Sequence, residues 1–231
     1  MSEIAENVRR VYERIAEAAA ASGRRPEDIS LVAATKMNDA ARVREAIEAG
    51  IKIAGENRVQ ELLQKDELGA YEGAQLHFIG TLQKNKVKYV VGRCDLIQSV
   101  SSETLLREIS KRALALGKTQ DILLEVNIGD EAAKTGAHLS ALEGLLQAAG
   151  EEKGVAVCGL MTIPPVCDAP AEARRYFDKM YELFVDIRAK KYDNVTMRIL
   201  SMGMSGDYAE AILSGADMVR VGTAIFGARH Y

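Results

Sequence analysis

The chain has 231 residues, 48% of them hydrophobic and 27% charged, with no Trp, and its 30 Lys+Arg against 33 Asp+Glu leave a formal net charge of −3. That length buries a core without disulfides or metals, and that composition excludes a disordered chain. The slightly acidic balance offers no basic footprint, so no nucleic-acid partner is expected.

Three cysteines, Cys94, Cys158 and Cys167, form no CxxC pair and are odd in number, which predicts a reducing compartment. The opening MSEIAENVRR has two Glu in its first six residues and no apolar core, so it does not read as a signal peptide. The longest mainly apolar stretch, 154–166, spans thirteen residues with two prolines, too short for a membrane helix. A cytoplasmic protein without a membrane partner is expected.

Taken in chain order, Ile4, Val8, Val11, Tyr12 and Ile15 form a helical stripe that ends near Gly23 and Pro26. The chain then alternates. Apolar runs that read as buried strands begin near Ile29, Ile51, Gln75, Cys94, Gln120, Gly154, Thr196 and Ala216. Amphipathic segments lie between them, among them 40–49, 102–116, 139–149 and 171–189. The starts are spaced by about 27 residues on average, which suits strand–helix units. Eight such units without a linker predict an α/β fold, a single (β/α)8 TIM barrel over residues 1–231 with an extra N-terminal helix. A doubly wound open sheet is the alternative.

In such a barrel, chemistry belongs where strands end. Those ends read Thr35-Lys36, Gly55-Glu56-Asn57, His77 to Gly80, Gln98-Ser99, Asn127, Met161-Thr162, Ser201-Met202-Gly203 and Arg220 to Thr223. Lys36 closes a run that is otherwise buried. Desolvation at the mouth would favour its neutral amine and Schiff-base chemistry; a solvated lysine at a strand end is the plainer reading. After the eighth strand, Gly222 permits close backbone approach and Thr223 adds a hydroxyl, which suits phosphate; a plain tight turn is the alternative. Ser201 and Ser205, in LSMGMSGD, are candidate additional hydroxyls. Gly117-Lys118-Thr119 fails as a P-loop because Arg112 stands where its first Gly belongs. His77, His138 and His230 are too widely spaced to predict a metal site, and 84–88 reads as a charged helix face.

In order, the chain carries LVAATK ending at Lys36, GENRVQE from Gly55, HFIGTLQKNK from His77 and IQSVSS from Ile97. VNIGDEAAKTG from Val126, GLMTIPP from Gly159, LSMGMSGDYAEAI and VRVGTAIFGAR follow. This set resembles the pyridoxal 5′-phosphate (PLP) homeostasis protein family over nearly the whole chain. The resemblance implies a fold-type III PLP-binding barrel. It implies that Lys36 matches the lysine that holds PLP as a Schiff base and Asn57 a polar residue beside the ring. It also implies that Ser201, Gly222 and Thr223 match the phosphate cup, and Arg220 the arginine facing the pyridine nitrogen. One departure stands out: Asn38 and Asp39 occupy positions where the family often carries a second lysine and a proline.

The function expected from the resemblance is PLP binding in vitamin B6 homeostasis or carriage, without robust catalysis. Apo PLP enzymes are the candidate recipients, and a monomer is expected. Alanine racemase resembles this barrel but adds a β domain carrying a catalytic tyrosine, and no residues remain for it after the eighth unit. A weak amino-acid racemase and a Schiff-base aldolase on a phosphorylated carbonyl substrate are the alternatives.

Overall fold

Eight apolar runs pair side by side in chain order and close on themselves, in a computed structural model that describes residues 2–131 and 135–227. The strands are β1 (Ser30–Ala34), β2 (Ile53–Glu56), β3 (Gln75–Phe78), β4 (Leu96–Val100), β5 (Gln120–Val126), β6 (Val155–Thr162), β7 (Val195–Ser201) and β8 (Met218–Val221). Each begins within two residues of the start read from the sequence. The ladder from Ser30↔Met218 to Ala33↔Val221 joins the last strand to the first in parallel, so the sheet is a barrel and not an open doubly wound sheet.

Strand alternation sorts the apolar residues into two cores. Val32, Ile53, Ile79, Leu96, Leu123, Cys158, Met161 and Met218 fill the barrel interior. Leu31, Ala33, Ala54, Phe78, Ile97 and Val219 point the other way, into the layer between sheet and helices. Cys158 and Met161 share the interior although three residues apart, because a bulge breaks the alternation between Val157 and Gly159. Gly159 has φ +155°, and a Cβ there would meet the Ile199 carbonyl oxygen at 1.8 Å.

The helices are α1 (Glu3–Ala21), α2 (Ala40–Glu48), α3 (Val59–Glu67), α4 (Val87–Val90), α5 (Glu103–Ala115), α6 (Leu139–Glu151), α7 (Pro170–Ala189), α8 (Tyr208–Leu213) and α9 (Thr223–Phe226). The four-residue α9 is too short to cover β8, and α1 packs on α8, α9 and α2 in its stead. Ser2 caps α1 by accepting from the Ala5 N–H at 3.2 Å. Its stripe of Ile4, Val8, Val11 and Ile15 is buried, for a gross gain of roughly 6–12 kcal/mol before ordering entropy. Asn7 Nδ2 donates to the Ile225 carbonyl at 2.9 Å, tying α1 to α9. No helix among the described residues is long and apolar enough to cross a membrane.

Candidate functional site

Pairing of β1 with β8 sets Lys36 beside the Gly222 loop at the C-terminal mouth of the barrel. The Thr35 N–H donates to the Gly55 carbonyl at 2.9 Å, so the ladder runs one residue beyond β1. Thr35 is buried on the outer face, and half-buried Lys36 follows on the inner one. A cavity of about 450 Å³ opens there, lined by Ala34, Lys36, Asn38, Arg42, Gly222 and Thr223 among others. A Cβ on Gly222 would come to 3.4 Å from the Ala34 carbonyl oxygen, so the ends of β1 and β8 lie side by side here. Ser205 Oγ accepts from the Gly222 N–H at 3.1 Å and the Ala224 N–H at 3.4 Å. Arg42 donates to Asn38 Oδ1 at 3.1 Å and to the Phe226 carbonyl, joining both walls of the cavity.

The barrel interior carries a chain of polar side chains. Arg220 donates through Nη1 to Ser201 Oγ at 2.7 Å and through Nη2 to the Thr162 carbonyl at 2.8 Å. Ser201 donates to Gln98 Oε1 at 2.7 Å, and Gln98 Nε2 lies 3.0 Å from His77 Nδ1. With Gln98 donating, His77 is the tautomer protonated at Nε2. Burial lowers the His77 pKa to about 4, so the ring is neutral at pH 7. Burial also lowers that of Arg220 to about 10, against the pull of Glu125 and Asp207, and the guanidinium remains a cation. Glu125, buried on β5, has its pKa raised by desolvation, opposed by the Thr135 hydroxyl that donates to it at 2.5 Å and by Arg220.

The expected site residues thus fall into two groups. Lys36, Gly222 and Thr223 line one cavity. Asn57 follows the neighbouring β2, and its Oδ1 is buried with no hydrogen-bond partner. Its backbone is packed so closely that a Cβ on Gly80 would meet the Asn57 carbonyl oxygen at 2.2 Å. Ser201 and Arg220 lie inside the barrel, both buried. In the seventh loop Ser205 Oγ lies against the Gly222 N–H, while the hydroxyl of Ser201, expected in the phosphate cup, is engaged by Gln98 and Arg220. Its place on β7 gives the reason, since strand parity turns Ser201 inward before the chain enters the loop.

Sequence reasoning missed Glu61, Lys65, Tyr71 and Glu125. Lys65 sits three residues after Leu62 and six after Val59, in the stripe that α3 buries, and a charged residue in such a stripe was the available signal. His230 and residues 132–134 of the VNIGDEAAKTG motif lie outside the described residues.

Residues 2–230 match the family described as alanine racemase, N-terminal domain. A pyridoxal phosphate homeostasis protein of Aquifex aeolicus is 43% identical over 226 residues, 98% of each chain. One from Pseudomonas aeruginosa is 38% identical over 231 residues, covering 100% of this chain and 98% of the relative. Among solved structures, PipY of Synechococcus elongatus with PLP bound superposes with TM-score 0.80 at 33% identity, over 92% of this chain and 100% of that one. The alanine racemase of Corynebacterium glutamicum, 16% identical with TM-score 0.69 over 98% of this chain and 61% of its own, shares the fold. By its matched motifs, its closed barrel and these full-length relatives, the chain belongs to the family of pyridoxal phosphate homeostasis proteins, built on the alanine racemase N-terminal domain.

Proposed function

We propose that this chain binds PLP at the β1–β8 mouth and serves vitamin B6 homeostasis as a carrier, without robust catalysis. One observation carries the reading: a single cavity sets the Lys36 amine beside the Gly222–Thr223 loop. An aldehyde calls for the amine, and a phosphate calls for the loop. Relatives named for PLP homeostasis and PipY with PLP bound support it.

The residues present fit the group. The cavity volume falls within the range of small-ligand sites. Ser205 Oγ already rests on two backbone N–H groups, the donors a phosphate oxygen would use. Asn57 Oδ1 is a buried acceptor without a donor, which suits a ligand hydroxyl. When bound, PLP supplies an electrophilic aldehyde conjugated to a ring that can accept electrons. Lys36 would hold the aldehyde, Gly222, Thr223 and Ser205 the phosphate, and Asn57 the edge of the ring.

Arg220 argues for carriage over catalysis. Its guanidinium keeps its protons at pH 7 and is held by Ser201 and the Thr162 carbonyl. A pyridine nitrogen facing such a cation would stay unprotonated, which would weaken the ring as an electron sink. Apo PLP enzymes are the recipients this reading implies.

Absorption of the purified protein, then borohydride reduction and peptide mapping, tests it. A pyridoxyl group on Lys36 is expected. A protein that takes up no PLP, or one labelled elsewhere with Lys36 unmodified, overturns the reading, and sustained racemisation of amino acids favours the enzyme alternative.

A further inference from the structure

We propose that Lys65, with Glu56 and Glu61, is a positioning residue for Lys36: a buried ion pair outside the barrel wall sets the direction in which the Lys36 amine leaves β1. The ligand in the test rests on the PLP reading above; the geometry does not.

Lys36 sits in a tight turn. The Asn38 N–H donates to the Thr35 carbonyl at 3.1 Å, which leaves Lys36 and Met37 as the two central residues. Met37 has φ +63°, a left-handed conformation usually given to Gly or Asn at that place in a turn. An L side chain is strained there, and such strain persists only where the surroundings over-determine it.

The surroundings do so from the outer side of the barrel. Lys65 Nζ donates to the Thr35 carbonyl at 2.8 Å, and Glu61 Oε2 accepts from the Met37 N–H at 2.7 Å. The Thr35 hydroxyl donates to Glu56 Oε1 at 2.5 Å. The three charged groups are joined to one another, with Lys65 Nζ 2.5 Å from Glu56 and 3.3 Å from Glu61. The Tyr71 hydroxyl adds a donor to Glu56 at 3.1 Å. Both residues flanking Lys36 are therefore gripped through their backbone from α3.

The Glu56 side chain is 0% exposed and that of Lys65 7%. Burying two charges is costly, and apolar side chains of similar volume often stabilise a fold as well or better. An apolar pair, however, offers no donor to the Thr35 carbonyl and no acceptor to its hydroxyl. Fixing the turn is what the charges achieve and packing cannot. On the opposite side Asn38 Nδ2 donates to the Lys36 carbonyl at 3.1 Å, so the turn is held from both faces.

The test compares PLP with pyridoxine 5′-phosphate, which has the same phosphate and ring but an alcohol in place of the aldehyde. Dissociation constants for both are measured on wild type, Lys65→Met and Glu61→Ala, with thermal denaturation as the control for folding. If the pair acts through Lys36, PLP affinity falls about tenfold while the alcohol stays within about twofold of wild type. Equal losses for both ligands, or no loss for either, overturn the proposal. Glu61 lies at the margin of the cluster, with its side chain 19% exposed, so Glu61→Ala decides the question if Lys65→Met does not fold. Should wild type bind neither ligand, the PLP reading fails by itself. Acetic anhydride labelling then tests the positioning alone, with the Lys36 rate measured against that of exposed Lys84. The variants are expected to shift that ratio by about threefold toward a solvated lysine, and an unchanged ratio overturns the proposal.

Discussion

Inside the barrel, Arg220 on β8 donates to Ser201 Oγ on the adjacent β7 at 2.7 Å. Because Ser201 in turn donates to Gln98 Oε1, and Gln98 faces His77, four side chains from four strands form one buried chain. Each member satisfies the next, and removing one leaves a buried donor or acceptor atom of each neighbour unpaired.

The two serines of LSMGMSGD should therefore respond differently. Ser201→Ala leaves Arg220 Nη1 and Gln98 Oε1 unpaired and should cost about 1–3 kcal/mol of stability in urea denaturation. Ser205→Ala and Thr223→Ala should leave stability nearly unchanged and weaken PLP by roughly 10–150-fold. Pyridoxal lacks the phosphate and should bind these two variants as it binds wild type. Equal weakening of PLP and pyridoxal would remove Ser205 and Thr223 from the phosphate cup.

If Arg220 faces the pyridine nitrogen of bound PLP, as proposed, its fixed cation sets the electronic state of the ring. Nitrogen NMR of labelled PLP on the wild-type protein should show an unprotonated pyridine nitrogen at pH 7. A protonated nitrogen would restore the ring as a strong electron sink and count against carriage without catalysis.

His77 gives the fold an acid-sensitive element. Its folded pKa of about 4 lies below the ordinary histidine value of 6.5 because the ring is buried. Between these values the unfolded chain binds a proton that the folded one refuses, so stability falls as pH drops from 6.5 to 4. The loss should reach about 2–3 kcal/mol by pH 4.5. His77→Gln, which keeps an acceptor for Gln98, should flatten this part of the pH dependence. Denaturation curves at pH 6.5 and 4.5 for both proteins measure the difference.

Gly80 is predicted to be intolerant of a side chain. A Cβ there would lie 2.2 Å from the Asn57 carbonyl oxygen and 2.6 Å from Asn57 Cα, both backbone atoms. Gly80→Ala must displace the end of β2, and overpacking of this kind costs about 1–3 kcal/mol. If Asn57 contacts PLP, affinity for PLP should fall together with the melting temperature. An alanine variant with both unchanged would show that the loop moves aside freely.

The barrel and the position of its mouth were legible in the sequence. Strand-length apolar runs at a regular spacing could close only by parallel pairing with helices between, and parallel strands present their C-terminal ends on one face. That arithmetic put Lys36 and the 220–223 segment on one barrel face, and the ladder from β1 to β8 brings them side by side. The role of α1 was less legible, because amphipathicity shows that a helix has a buried face without showing what covers it.

Tertiary structure alone decided which polar groups meet. Ser201 and Ser205 are four residues apart in one motif, and only the parity of β7 and the course of its loop turn one hydroxyl into the barrel and the other toward Gly222. Glu56 was legible only as a strand-end residue and Lys65 was not singled out, yet they form a buried pair on the turn that carries Lys36. Hydrophobic patterning acts on whole faces of strands and helices, so one sequence suffices to read it. A hydrogen bond depends on tenths of an ångström between side chains far apart in the chain, and only the closed barrel fixes those distances.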